Sequence, residues 1–132
     1  PGTAFLVVPA PESDALREAA YFVERLQRED MPLAGLVLNR VTRQYVPELT
    51  AEQAVAAAER LEDAAPADPA VAAMLRLHAD RVRTVARQHH LAERFTSAHP
   101  SVRLAEVPAL PEDVHDLAGL RRVADFIADH ER

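Results

Sequence analysis

The sequence predicts a mixed α/β domain built on a parallel sheet of three strands, with helices on its flanks and an inserted helical hairpin. Apolar runs without alternation, at residues 3–8, 34–39 and 102–107, are typical of strands buried on both faces. A helical repeat separates the first two runs, and strand, helix, strand within a short length is the parallel βαβ unit. Two more helical patterns separate the second and third runs. We therefore expect one domain over residues 1–132, with the insertion at about 48–99.

The first strand and helix have clear boundaries in the sequence. The strand Thr3 to Val8 is closed by Pro9 and Pro11, and Ser13 is a suitable N-cap for the helix that follows. This helix should reach about Glu29 and end before the next proline. Its apolar side chains repeat at helical spacing: Leu16, Ala19, Ala20, Val23 and Leu26.

The insertion contains two helical patterns. Thr50 and Gln53 form a capping-box pair at the start of the first. Asp68 as N-cap and Pro69 at the first helical position begin the second, which we expect to extend to about Ala98. The first has a stripe of small residues: Ala51, Ala54, Val55, Ala58 and Leu61. The second has an apolar seam: Val71, Leu75, Val82, Val85 and Ala92. The seam has two interpretations, packing within the domain or a surface that faces a client or a second subunit.

The last section returns to the α/β pattern. Val102 to Val107 is the third strand, and a proline-bounded loop leads to a final helix. We expect four residues to form the buried stripe of that helix: Leu117, Leu120, Ala124 and Ile127.

Composition excludes several classes of function. The net charge is −6 and the basic residues form no block, so nucleic acid is not expected as a partner. All 15 basic residues are arginine, so a Walker A loop, which requires lysine, is absent. There is no cysteine for a disulfide or a thiolate. No apolar run approaches the roughly 18 residues of a membrane span, and we expect a cytoplasmic protein. The chain begins with proline, and we expect it to be a piece of a longer protein.

Asn39 and Arg40 follow the apolar run of the second strand. Ligands of parallel sheets bind beyond the carboxyl ends of strands, and a carboxamide carries donors and an acceptor that match the N6 and N7 edge of adenine. In the other interpretation, Asn39 only ends the strand and starts a turn.

The loop after the third strand is the second candidate. Pro108 and Pro111 stiffen it, and a rigid apolar loop is suited to hold a flat base ring. The alternative is a connection that only directs the chain into the final helix.

The six histidines, at positions 78, 89, 90, 99, 115 and 130, predict no metal site. His78 and His89 are too far apart along one helix to share a metal ion, since the helix rises about 1.5 Å per residue. Glu12 and Asp14 are expected to stabilise the start of the first helix. No set of residues predicts a catalytic centre.

Three stretches together resemble one family. "TAFLVVPAPESDALREAAYFVERL", "MPLAGLVLNRV" and "VRLAEVPALPEDVHDLAGLRRVADFI" are similar to the carboxyl-terminal half of ArsA-type anion-transporting ATPases, whose eukaryotic relatives target tail-anchored membrane proteins. The resemblance covers both ends of the chain, and covers the hairpin by position alone. It implies a P-loop NTPase-like domain of the SIMIBI type.

The resemblance also implies a site. The family's adenine-reading asparagine falls on Asn39 and its base-flanking proline on Pro108, which places the base pocket at Asn39, Arg40, Pro108, Leu110 and Pro111. Arg40 stands where the family usually has Gln, and His115 and Asp116 replace an Arg-Gly pair. The P-loop and both switches precede the first strand of this chain, so the chain has no catalytic residues of its own.

The partners and cofactors follow from the same resemblance. The intact parent would bind ATP and magnesium, and this chain alone would bind neither firmly. The first partner of the chain would be the missing amino-terminal half that carries the P-loop. A homodimer or paralogue heterodimer is expected, and the parent would couple ATP binding and hydrolysis to the handling of a client, which is either an anion or a membrane protein. The zinc-binding Cys-x-x-Cys of the eukaryotic branch is absent, so no zinc-linked dimer is implied.

Two other functions stay open. One is part of an ATP-dependent ligase of the dethiobiotin-synthetase type, which has a similar "GLVLN" strand. The other is a non-enzymatic α/β interaction module whose hairpin pairs with a partner. A G-K-G-G-x-G-K-[ST] loop upstream in the parent sequence would favour the ATPase, and its absence would favour the interaction module.

Overall fold

The computed structural model describes residues 2–63 and 69–129. The order of elements is β1 (Phe5–Val7), α1 (Ser13–Arg28), β2 (Leu33–Val41), α2 (Ala51–Asp63), α3 (Pro69–Ala98), β3 (Leu104–Pro108) and α4 (Leu117–Asp129). The strands form one parallel sheet in the order β1-β2-β3. The predicted α/β class, a three-stranded parallel sheet with flanking helices, is confirmed.

The chain divides into two compact units. The first extends to Val41 and resumes at Gln88, and it contains the sheet, α1, the last turns of α3 and α4. The second, from Thr42 to Arg87, contains α2 and the first part of α3.

The central strand β2 supplies side chains to two cores, because successive residues of a strand point to opposite faces. Leu36 and Leu38 enter the larger core, which α1 and the last turns of α3 cover. Its buried members are Leu16, Ala19, Val23, Leu36, Leu38, Ala92, Phe95, Val102 and Leu104. Leu36, Leu38 and Leu104 are almost fully buried, so truncating any of them to alanine should cost about 2–5 kcal/mol.

The other face of the sheet packs on α4. This smaller core contains Val37, Ala105 and Val107, with Val123, Phe126 and Ile127 against them. Of the stripe predicted for α4, only Ile127 lies there; Leu117 and Leu120 are 71% and 56% exposed, and Ala124 is also exposed. That prediction was wrong because α4 carries two apolar stripes, and the inward one includes the buried Gly119.

The first strand differs from its prediction. β1 covers three residues instead of 3–8, and it is an edge strand. Phe5 and Leu6 are exposed, and the neighbouring Val8 is exposed as well. Only Val7 packs on the larger core. The apolar run therefore does not mark a strand buried on both faces here, because no strand of the described sheet lies beyond β1.

The other boundaries lie close to those predicted. Ser13 is the first residue of α1 and not its N-cap; Glu12 occupies that position, without a hydrogen bond from its side chain. β2 begins one residue earlier than predicted and extends to Val41, and β3 is shifted towards Pro108. Helix α3 begins at Pro69 and ends at Ala98, as predicted, and Asp68 lies outside the described residues.

Gly35 is required by the pairing of β2 with β3. The Leu36 N–H donates to the Arg103 carbonyl at 2.8 Å. A Cβ at position 35 would lie 2.9 Å from that carbonyl oxygen, closer than a carbon and an oxygen tolerate. Glycine therefore permits the two backbones to approach.

The second unit is a helical hairpin with a local start signal. The Thr50 N–H donates to Gln53 Oε1 at 3.0 Å and the Gln53 N–H donates to Thr50 Oγ1 at 3.2 Å, so the predicted capping box is confirmed. Three small buried residues form the contact between the helices: Ala51, Ala54 and Ala79. Leu49, Val55, Leu75 and Val82 pack against them. Leu75 and Val82, two members of the predicted seam, therefore pack inside the hairpin.

Two polar contacts also join parts of this unit. Arg76 donates to both carboxylate oxygens of Glu62, at 3.0 and 2.6 Å. His78 Nε2 donates to the Leu49 carbonyl at 2.8 Å, since a carbonyl can only accept. Within residues 2–63 and 69–129 no helix is long and apolar enough to cross a bilayer.

Candidate functional site

A half-open cavity of about 280 Å³ lies at the carboxyl ends of β2 and β3. Its lining residues are Asn39, Arg40, Val107, Pro108, Leu110, Glu112, Asp113, Val114 and Val123. Four of the five predicted site residues are therefore brought together. The fifth, Pro111, is exposed in the same loop and is not among the lining residues.

Asn39 presents a half-buried carboxamide to this cavity. Its backbone N–H donates to the Pro9 carbonyl at 2.9 Å, which ties the end of β2 to the segment after β1. Asn39 pairs with Val107 of β3, and alternation places it on the same face as Val37, the face that α4 covers. Among the described residues its side-chain amide has no hydrogen-bond partner, so both donors and the acceptor are available to a ligand.

Arg40 is the residue at which β2 changes register. The pairing moves from Asn39–Val107 to Val41–Pro108, so two steps along β2 match one step along β3. The Arg40 φ is 66°, in the left-handed region that non-glycine residues rarely adopt. Bulges of this kind bend a strand and redirect a side chain, and they occur often beside functional sites. Here the bulge places Asn39 and Arg40 together on the rim of one cavity.

The loop of residues 109–116 forms the opposite wall and is held at several points. Its first residue, Ala109, donates its N–H to the Val41 carbonyl at 2.9 Å. His115 Nδ1 donates to the Asp113 carbonyl at 2.8 Å. Asp116 caps α4 by accepting the Gly119 N–H on its carboxylate at 2.7 Å. These bonds fix the loop on both sides of Glu112 and Asp113.

Five lining residues were not predicted: Val107, Glu112, Asp113, Val114 and Val123. Val107 and the two acidic residues lie within or beside the predicted proline loop, so their positions in the sequence signalled them. Val123 comes from α4, and only the correct choice between the two apolar stripes of that helix would have placed it here.

A second cavity of about 300 Å³ lies between α3 and β3, and its rim includes His89, Glu93 and Glu106. The His89 Nδ1 lies 3.4 Å from a Glu93 carboxylate oxygen. No group of three His, Cys, Asp or Glu side chains in the described part of the chain is arranged to hold a metal ion. His130 lies outside the described residues.

The chemistry of the Asn39 cavity is that of recognition. Val107, Pro108, Leu110 and Val123 contribute apolar side chains, but most of the accessible surface of the cavity is polar. The carboxamide of Asn39 supplies hydrogen-bond donors and an acceptor at fixed positions. No protein-family model matches the sequence, and no curated protein matches it either.

Proposed function

We propose that the Asn39 cavity is the adenine-recognition side of an ArsA-like, P-loop ATPase. The observation that carries this proposal is the convergence of Asn39, Arg40, Pro108 and Leu110 on one cavity at the carboxyl end of a parallel sheet. A free carboxamide suits adenine, whose N6 amino group donates and whose N7 accepts, and the apolar side chains of the lining can contact the flat ring. The position also follows the general rule for ligands of α/β sheets.

In this proposal the phosphates and magnesium are held by a second, amino-terminal part of the parent, which carries the P-loop. Two features of the chain support the division. It contains no lysine for a phosphate loop. β1 is an edge strand that exposes Phe5 and Leu6, and Val8 beside it is also exposed. Exposed apolar residues at a sheet edge are expected where further strands of the parent pair with that edge. The parent would be a cytoplasmic homodimer or paralogue heterodimer.

The test uses the only asparagine in the sequence. Because Asn39 is unique, its side-chain amide gives one Asn signal pair in a ¹H–¹⁵N spectrum, and that pair should shift when adenosine is added to the ¹⁵N-labelled chain. Asn39→Ala should weaken adenosine binding by about 1–3 kcal/mol, the scale of a bidentate contact to a base. Guanosine, which offers an acceptor instead of the N6 amino group, should bind the unsubstituted chain more weakly than adenosine does.

A matched control removes an amide elsewhere. Gln27→Ala lies on the exposed face of α1 and should leave adenosine binding unchanged. Two outcomes would refute the adenine site. One is an equal loss of adenosine affinity in both variants, and the other is an Asn39 amide signal whose chemical shift does not change at saturating adenosine.

A second candidate function concerns the hairpin. Val71, Met74 and Leu77 of α3 are 43%, 70% and 69% exposed, whereas Leu75 and Val82 pack within the hairpin. Exposed apolar side chains on neighbouring turns of a helix favour contact with an apolar partner. We propose this stripe, which shares Val71 with the seam predicted from the sequence, as the part of the hairpin that meets a client.

A further inference from the structure

A half-open groove of about 340 Å³ lies between α1 and the last turns of α3. All of its lining residues belong to the first compact unit. Its accessible surface is more apolar than polar, and Leu16, Ala20, Leu91 and Phe95 supply apolar side chains. Each helix contributes two of these residues at a spacing of four, which places them on one helix face. The groove shares no lining residue with the Asn39 cavity.

The polar part of the groove carries positive charge. Arg17 of α1 and Arg94 of α3 line it, one from each helix, and its described lining includes no acidic side chain. The whole chain has a net charge of −6, so this lining is opposite in sign to the rest of the molecule. Within residues 2–63 and 69–129, Arg94 has no ion-pair partner. Its guanidinium is therefore available to a ligand.

Arg17 is paired already, but only weakly. One of its guanidinium nitrogens lies 3.0 Å from an Asp14 carboxylate oxygen, and the two side chains are 74% and 80% exposed. An exposed pair of this kind contributes little, and a guanidinium has several further N–H donors, so Arg17 can contact a second acceptor. With Asp14 included, two positive charges stand against one negative charge. That balance suits a ligand with a single negative charge.

His99 adds an aromatic surface and a hydrogen-bond donor to the lining. Its ring centroid lies 4.8 Å from that of Phe95, with the two rings tilted by 39°. In the part of the chain that the structure describes, its ring nitrogens have no hydrogen-bond partner. A neutral imidazole carries one N–H donor in either tautomer. The groove therefore combines an apolar surface with several donors and no competing acceptor side chain apart from the Ser13 hydroxyl.

We propose that this groove binds a carboxylate with an apolar tail. Arg17 and Arg94 hold the carboxylate, and the tail lies against Leu16, Leu91 and Phe95. The charge of the lining is complementary to a carboxylate, and a guanidinium can donate two parallel hydrogen bonds to one. The volume of about 340 Å³ lies within the ~300–1,000 Å³ of small-molecule sites. This binding activity goes beyond the adenine site and does not depend on it.

Octanoate is the probe, titrated at neutral pH into the full ¹⁵N-labelled chain and followed by NMR. The backbone amide signals of residues 13–20 and 91–99 should shift and reach saturation. Butanoate should bind roughly tenfold more weakly, the loss expected when about two fewer methylene groups are buried. Octan-1-ol, which has the tail without the charge, should also bind more weakly than octanoate.

The variants separate the charge from the apolar surface. Arg17→Gln and Arg94→Gln should each lower octanoate affinity by about two- to fivefold, the range of an exposed ion pair, and leave octan-1-ol affinity unchanged. Both side chains are exposed, so both variants should fold. Arg28→Gln is the matched control, because Arg28 is exposed on α1 and does not line the groove. It removes the same charge and should leave octanoate affinity unchanged.

Four results would overturn the proposal. They are octan-1-ol binding as tightly as octanoate, equal effects of all three arginine variants, amide shifts concentrated at β1, and no octanoate binding at all. Binding of anionic phospholipid vesicles in that last case would assign the groove to a membrane surface instead. None of these results bears on the adenine site, which the adenosine titration tests separately.

Discussion

Arg40 allows a sharp test of the bulge that builds the site, because glycine and alanine should affect it in opposite ways. At a φ of 66° a Cβ costs about 1–2 kcal/mol. Glycine avoids that cost but loses roughly 0.5–1 kcal/mol more conformational entropy on folding. The difference leaves Arg40→Gly more stable than Arg40→Ala by roughly 0–1.5 kcal/mol, with a central value of about 0.75 kcal/mol. Both variants remove the same exposed side chain, so the difference between their free energies of unfolding reports the backbone conformation at residue 40.

The assay is thermal unfolding of both variants beside urea titrations. The stability difference should appear as a melting temperature about 2–5 °C higher for Arg40→Gly than for Arg40→Ala. Ala34 gives the matched control, because it is exposed on the same strand without a positive φ. There, Ala34→Gly should lower stability by about 0.5–1 kcal/mol. If Arg40→Gly proves less stable than Arg40→Ala, as at Ala34, then β2 does not pass through a left-handed residue and the account of the bulge is refuted.

Three other predictions address the hairpin and the chemistry of the chain. Val82→Asp should destabilise the chain by about 2–4 kcal/mol, because it places a carboxylate against the alanine cluster. Leu77 is 69% exposed, so Leu77→Asp should leave the melting temperature nearly unchanged. Comparable decreases in melting temperature for the two variants would reject the assigned helix faces. The hydrogen bonds from Arg76 hold the pKa of Glu62 below its usual value of 4.5. This pair therefore adds stability above pH 4.5, and the added stability is lost as the pH falls through the lower pKa of the folded state. Glu62→Gln should flatten that part of the pH profile of the unfolding free energy, and an unaltered profile would contradict this prediction. With magnesium present, the chain should not hydrolyse ATP, because its sequence lacks a Walker A phosphate loop. ATP hydrolysis that persists after repurification would show that the phosphate site lies within this chain.

Elements with local start signals were predictable from the sequence. The capping box of Thr50 and Gln53 involves residues three apart, so its geometry depends little on the rest of the fold. Pro69 likewise marks the beginning of α3, because proline is suited to the first turn of a helix. The apolar run of β2 and its polar end also indicated the edge of the sheet at which the candidate cavity lies, since the place where a strand leaves the core is visible in composition.

Features set by tertiary contacts were not predictable in the same way. The periodicity of α4 is consistent with either stripe facing the sheet, and the choice is made by tertiary packing, in which Val123, Phe126 and Ile127 contact the sheet. The left-handed φ of Arg40 has no signal in the sequence, because glycine and asparagine are the residues that usually mark it. It arises from the register shift against β3. The exposure of β1 likewise depends on which strand lies at the edge.

The open edge of β1 also affects how a purified sample should be handled. Phe5, Leu6 and Val8, together with the exposed Phe22 of α1, form an apolar margin beside backbone groups that another strand can pair with. The margin contains no lysine, one of the residues that keep natural edges apart. Concentrated preparations should therefore associate through this margin. A dimer detected by light scattering at high protein concentration can then arise from this edge alone. The biological assembly has to be determined from dilute samples or with the Leu6→Lys variant.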